Sequence, residues 1–151
     1  MKRFALATFV FSLAVCSAPV CAAALDEPLH CDRSAHAFIG ELEDKGLIDP
    51  SPSRVEPNSI NAFDPTHSAD LTAFGYHVFA IVGFQKDDPM FQRGKGKPLA
   101  DSAYGAVVMG TTDSVTAAVR TAGSKAIVHH VAPFITAIFC QMDQGAAADR
   151  P

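Results

Sequence analysis

The sequence predicts an α+β fold, with two helices packed on one side of a mainly antiparallel sheet of about four strands, and one disulfide bond. Two kinds of pattern lead to this prediction. Apolar residues recur at helical spacing in two segments, and four other segments are rich in β-branched and aromatic residues. The predicted order of helix, three strands, helix and strand suits helices that lie against one face of such a sheet.

The first 24 residues have the composition of a secretory signal peptide. Lys2 and Arg3 precede an apolar run over residues 4–15, and small residues follow up to Ala24. We therefore predict cleavage after Ala24, or a residue or two earlier, and a periplasmic or secreted protein. The apolar run is shorter than the roughly 20 residues that span a bilayer, so we expect no integral membrane segment. Cys16 resembles a lipidation site, but Val15 stands where a small residue is needed.

The remaining chain is predicted to form a single α+β domain over residues 25–144, followed by a flexible tail over 145–151. Removal of Lys2 and Arg3 leaves 10 basic residues against 16 acidic ones, a net charge of −6. This balance argues against nucleic acid or an anionic membrane as the main partner.

Cys31 and Cys140 are the two cysteines that remain after the predicted leader. In an oxidising compartment a pair of cysteines predicts one disulfide bond. Closing a loop of about 110 residues would restrict the unfolded chain by roughly 4 to 5 kcal/mol in the chain-entropy model. A metal site and an intermolecular bridge are the alternatives.

The first helix is predicted over residues 32–45, with Asp32 as its N-terminal cap. Four apolar residues fall on one helical face, and Gly46 supplies a left-handed stop. The apolar residues on this face are Ala35, Phe38, Ile39 and Leu42.

Two strands are predicted next, a short one over residues 59–63 and a central one over 74–84. The three prolines in 49–58 indicate a loop, and 64–70 is predicted to be a turn. Simple alternation in the central strand would give one face with Tyr76, Val78, Ala80 and Val82, and another with His77, Phe79 and Ile81. Both faces are largely apolar, so we expect one on the core and the other partly covered.

The second half of the chain is predicted to contain a strand over 103–110, a helix over 114–122 and a long strand over 125–140. The helical stripe comprises Val115, Ala118, Val119 and Ala122, and Gly123 ends the helix. His129 and His130 are adjacent in the last strand, so their side chains should point to opposite faces.

No motif for catalysis, a metal or a cofactor is evident. A zinc site made from His77, His129 and His130, with His67 or Asp70 as a further ligand, lacks any local ligand spacing. The chain has no Gly-x-Ser-x-Gly elbow, and both cysteines after the leader are expected to be oxidised. Loop carboxylates could converge, but they are usually solvated. We therefore predict a protein that is not an enzyme, with a hydrolase as a weak alternative.

The 18 residues 85–102 form a long connection between predicted strands. Most connections in compact domains are shorter, so this length needs an explanation. The loop sets an apolar pair beside a basic cluster, and the apolar pair is either folded onto the sheet or an anchor for a partner. Its Gly-Lys-Gly-Lys stretch lacks the full phosphate-loop pattern. The candidate partner-binding residues are Met90, Phe91, Arg93, Lys95 and Lys97.

These observations favour an exported bacterial protein that binds another protein through the 85–102 loop, in the manner of an inhibitor or an immunity protein. The alternative is a small-molecule-binding envelope protein with a sheet-lined pocket near Tyr76, His77 and Tyr104. The two hypotheses differ in whether the loop or the sheet forms the binding surface.

Overall fold

The computed structural model describes residues 21–142. The first 20 residues of the predicted leader, including Cys16, and the predicted tail 145–151 lie outside the described residues. Within the described range the helices are α1 (Ala35–Asp44) and α2 (Thr112–Thr121), and a 3₁₀ turn covers Pro28–His30. The strands are β1 (Cys21–Ala24), β2 (Arg54–Val55), β3 (Asn61–Phe63), β4 (Ala69–Ala73), β5 (Tyr76–Gln85), β6 (Ser102–Met109), β7 (Ile127–Ala132) and β8 (Ile135–Met142).

The strands form one mixed sheet with the order β1-β4-β5-β6-β8-β7. β3 also pairs with β5, beyond the short β4 pairing, and β2 pairs with β3. The β1–β4 pair is parallel, and the remaining pairs are antiparallel. The predicted α+β class is confirmed, but the sheet has eight strands rather than about four.

α1 forms where the apolar spacing predicts it. Its four predicted stripe residues are all buried. The cap differs from the prediction, because the Ser34 hydroxyl accepts the backbone N–H of Ala37 at 3.2 Å and the helix starts three residues after Asp32. Gly46 adopts the predicted left-handed conformation, with φ of 64°.

α2 begins two residues before the predicted start, since Thr111 caps it by accepting the backbone N–H of Ser114 at 3.3 Å. Both helices cover the same face of the sheet. In β8, Thr136 approaches Thr112 at the start of α2, and Cys140 is bonded to Cys31 just before α1. Residues two apart in a strand share a face, so the side of β8 that carries Thr136, Ile138 and Cys140 faces the helices. We call the other side the open face.

The predicted strand over 125–140 is a hairpin of β7 and β8 instead of one strand. The chain reverses at Pro133 and Phe134, and Phe134 takes a positive φ of 61°. A proline cannot donate to a sheet ladder, and it favours the first corner of a turn whose second corner has positive φ. The proline was therefore the signal that the segment is two strands.

The predicted alternation of β5 fails at Phe79. A bulge between Val78 and Ala80 inserts one residue, and the pairing with β6 then continues from Ala80. A bulge shifts the alternation by one position, so Val78 and Ile81 are both buried under the helices. The central position of β5 is as predicted, with β6 on one side and β3 and β4 on the other.

Two further strands form where loops were predicted. β2 lies in the proline-rich segment 49–58, and β4 begins inside the predicted turn 64–70. Both are short. β2 pairs with the nearby β3, whereas β4 pairs with β5 across a tight turn and with the distant β1. β1 occupies the last four residues of the predicted leader, where it pairs with β4. No helix between residues 21 and 142 has the length and apolar character needed to cross a bilayer.

Candidate functional site

The apolar pair of the 85–102 loop folds back onto the core. Phe91 is only 8% exposed and packs edge-on between Phe63 and Phe84, with ring centroids 6.4 and 6.3 Å away. The half-buried Met90 reaches α1, where its methyl group lies beside Gly40. Of the two alternatives for the pair, the structure shows Phe91 folded onto the sheet. A side chain inside the core cannot insert into a partner, so Phe91 does not remain a partner-binding candidate.

Asn61 holds the middle of the loop in place. Its side-chain amide donates to the carbonyl oxygen of Gln92 at 2.8 Å and accepts the backbone N–H of Gln92 at 2.9 Å. Asn61 is fully buried, so these two hydrogen bonds satisfy a polar group that would otherwise be costly to bury.

The two glycines of the Gly-Lys-Gly-Lys stretch allow the loop to approach the β2–β3 hairpin. A Cβ atom at Gly94 would lie 2.2 Å from the carbonyl oxygen of Glu56, and one at Gly96 would lie 2.9 Å from that of Pro57. Gly96 also donates its N–H to Pro57 at 2.7 Å. Close backbone packing therefore accounts for these glycines without a phosphate ligand.

The basic residues of the loop remain at the surface. Arg93, Lys95 and Lys97 are all exposed. Arg93 and Lys97 join Lys86 around a depression of about 350 Å³, which also includes Leu99 and Asp101. We call this feature the basic depression. Lys86 faces Asp101 across 3.8 Å, a long and exposed ion pair.

The predicted pocket residues are not brought together. Tyr104 pairs with Gly83, whereas Tyr76 lies at the start of β5, roughly 20 Å away along the strand, where its ring lies beside Gly110. His77 is next to Tyr76 and lies 3.8 Å from Asp70. The pocket built from Tyr76, His77 and Tyr104 is therefore not formed.

Tyr104 is a core residue with its side chain toward the helices. Its ring lies 4.7 Å from that of Phe38, and its hydroxyl donates to the carbonyl oxygen of Pro28 at 3.0 Å. Burial raises the pKa of the Tyr104 hydroxyl, because the phenolate would lose its hydration. The side chain braces α1 and the 3₁₀ turn against β6.

The two adjacent histidines face opposite ways. His130 approaches the hydroxyl of Thr112 in α2 at 3.2 Å, while His129 lies on the open face opposite Ala137. Over the described part of the chain, no group of three or more His, Cys, Asp or Glu side chains is placed to hold a metal ion. The zinc site considered from the sequence is therefore not assembled by these residues.

The open face carries an apolar pocket of about 310 Å³, which we call the sheet pocket. Side chains from β5, β6, β7 and β8 form its floor, and Ile60 and Leu99 from neighbouring loops border it. The lining residues are Asn58, Ile60, Val82, Leu99, Ala103, Tyr104, Val107, His129, Ala137 and Phe139. Most of these side chains are aliphatic or aromatic, so the surface is suited to binding apolar groups.

The sequence contains a signal for this site. The segment 74–84 is apolar on both faces, and only one face is needed for the core. What the sequence lacks is that Leu99 and Val82 border the same pocket, because this depends on the folded path of the long loop. Comparisons of the chain with protein-family models, curated proteins and solved structures found no match.

Proposed function

We propose that this chain is an exported, non-enzymatic protein that binds another protein, as an inhibitor or an immunity protein does. The binding surface that we propose is the open face of the sheet together with the basic depression on its rim. The observation that supports the proposal is the uncovered row of apolar side chains on the open face.

The exposed residues of this row are large. Ile127 is 46% exposed and lies directly opposite Phe139, while Met109 is 59% exposed and lies opposite Ile135. The solvent side of an antiparallel sheet normally carries polar residues. A contiguous apolar surface of this kind is typical of an interaction site.

The charge at the rim restricts the partner. Arg93 and Lys97 stand beside exposed Leu99 in a chain of net charge −4. Complementary charge steers association and excludes partners with the same charge. The proposed partner therefore presents an apolar surface bordered by carboxylates. This restricts the class of partner more than binding through the loop alone would.

The experiment compares surface variants in pull-down from an extract of exported proteins. Ile127→Asp and Met109→Asp place a charge on the open face without disturbing a buried side chain. We expect each to lower recovery of the partner about tenfold, since an interface anchor of this kind contributes about 1 to 2 kcal/mol. Ala117→Asp, on the exposed side of α2, is the matched control and should leave recovery unchanged.

The charged rim has its own variant. Arg93→Glu combined with Lys97→Glu should lower recovery and remove most of its dependence on salt. Thermal unfolding of every variant checks that the fold is retained. If the open-face variants recover the same proteins as Ala117→Asp, binding through the open face is wrong.

A further inference from the structure

The sheet pocket and the basic depression share one lining residue. Leu99 borders the apolar floor of the sheet pocket and also borders the depression that holds Lys86, Arg93 and Lys97. The volume of the sheet pocket, about 310 Å³, is at the lower end of the range for small-molecule sites. An apolar pocket that shares a bordering side chain with a cluster of cations suits a ligand with two chemically different ends.

The cations of the basic depression are available to a ligand. Neither Arg93 nor Lys97 forms an ion pair with an acidic side chain among residues 21–142. Lys86 is 56% exposed in its side chain, and its pair with Asp101 is weakened by solvent at that exposure. An arginine can hold a carboxylate with two parallel hydrogen bonds.

We propose that the two features form one site for an amphipathic carboxylate, with its alkyl chain in the sheet pocket and its carboxylate in the basic depression. The alkyl chain lies on Val82, Val107 and Phe139. The carboxylate accepts hydrogen bonds from Arg93 and Lys97 near Leu99. A cationic amphiphile would bring its charge against the same cations, so the site discriminates by the sign of the headgroup.

Binding of an amphipathic carboxylate is a separate activity from binding of a protein partner, and it does not require such a partner. It uses only the isolated chain, so the two proposals can fail separately. Absence of carboxylate binding would not change the pull-down result. Likewise, open-face variants that recover the partner normally would not change the ligand titration.

The test titrates the purified full chain with decanoate and follows the methyl NMR signals of Val82, Val107 and Leu99. We expect saturable shifts at these three residues. Decyltrimethylammonium has a chain of the same length with a positive headgroup, and it should bind at least about tenfold more weakly. Acetate has the headgroup without the chain and should give no saturable shift of the methyl signals.

Variants separate the two ends of the site. Arg93→Gln with Lys97→Gln should raise the dissociation constant for decanoate about tenfold and lower that for decyltrimethylammonium, because the cations that repel its headgroup are removed. Arg120→Gln with Lys125→Gln removes two exposed cations elsewhere and should change neither constant. Ala137→Leu adds volume to the floor of the sheet pocket and should abolish binding of both amphiphiles, with thermal unfolding as the check on folding.

Three results would each overturn the proposal. The first is the absence of saturable decanoate shifts, and the second is equal affinity for the two amphiphiles. The third is a decanoate affinity that the Arg93 and Lys97 variant leaves unchanged.

Discussion

Phe91 gives the long loop a place in the hydrophobic core. Its ring is buried between Phe63 and Phe84, although the loop around the Met90–Phe91 pair is otherwise mostly polar. We expect Phe91→Ala to lower the free energy of unfolding by about 3 to 5 kcal/mol, because it leaves a cavity in the core. Arg93→Ala, two residues later and exposed, should change it by less than about 0.5 kcal/mol.

Chemical denaturation of the two variants measures this difference. Met90→Ala gives a third point, since that side chain is half-buried and should cost less than Phe91. Equal stability of Phe91→Ala and Arg93→Ala would mean that the loop does not hold its ring in the core in solution.

At the level of single residues, the sequence predicts the structure correctly where only local chemistry decides it. The bond between Cys31 and Cys140 is present as predicted, with Cα atoms 5.1 Å apart, and Gly46 and Gly123 both have positive φ. The placement of Phe91 could not be decided in this way. It depends on the hydrogen bonds between Asn61 and Gln92, which are 31 positions apart.

At the level of elements, the docking of the loop on the β2–β3 hairpin depends on a missing side chain. Gly94→Ala would place a Cβ atom 2.2 Å from the carbonyl oxygen of Glu56, and backbone at that distance has to move. We expect a loss of about 1 to 3 kcal/mol of stability. The exposed neighbour Lys95→Ala is the matched control and should be close to neutral.

Hydrogen exchange reports the docking directly. The amides of Gly96 and Leu99 donate to the carbonyl oxygens of Pro57 and Asn58. Both should exchange faster in Gly94→Ala, while amides paired between β6 and β8 keep their protection. Unchanged exchange at Gly96 and Leu99 would show that the loop tolerates the added methyl group without leaving the hairpin.

Helices were easier to predict than strands for a physical reason. The stripe of α1 is a local pattern, and all four of its apolar residues are buried. β2 has two residues and β4 has five, so these strands are too short to carry a clear alternation of their own. The bulge at Phe79 and the turn at Pro133 then change which face each side chain takes. The residues of the sheet pocket depend on these faces, so Tyr104 is the one residue of the predicted pocket that lines it.

At the scale of the whole molecule, the disulfide joins two ends of the described chain. Cys31 precedes α1 and Cys140 lies in the last strand, 109 residues later. Because the bond fixes β8 to the start of the helical layer, it acts on the helix-facing side of β8. The sheet pocket lies on the opposite side of the strand. The open face is then the side of β8 that remains accessible to a ligand or a partner.

The predicted cleavage site, after Ala24, lies between β1 and the rest of the fold. Cleavage after Ala24 would remove a four-residue strand in which Ala22 and Ala24 are exposed. The next two residues fasten the chain to β4 without it. The nitrogen of the buried Leu25, which becomes the terminal ammonium group after cleavage, donates to the carbonyl oxygen of Thr72 at 2.8 Å. The Asp26 carboxylate accepts the N–H of Phe74 at 2.8 Å.

Under the export that we propose, we expect the processed chain to begin at Leu25, which an intact-mass measurement would detect. A chain beginning at Leu25 should unfold within about 1 to 2 kcal/mol of one beginning at Ala22, because the lost strand buries little apolar surface. A chain beginning at Glu27 lacks the buried Leu25 as well and should lose a further 2 to 5 kcal/mol or so. If the chain from Leu25 is as unstable as the chain from Glu27, β1 is part of the folded protein and cleavage must occur before it.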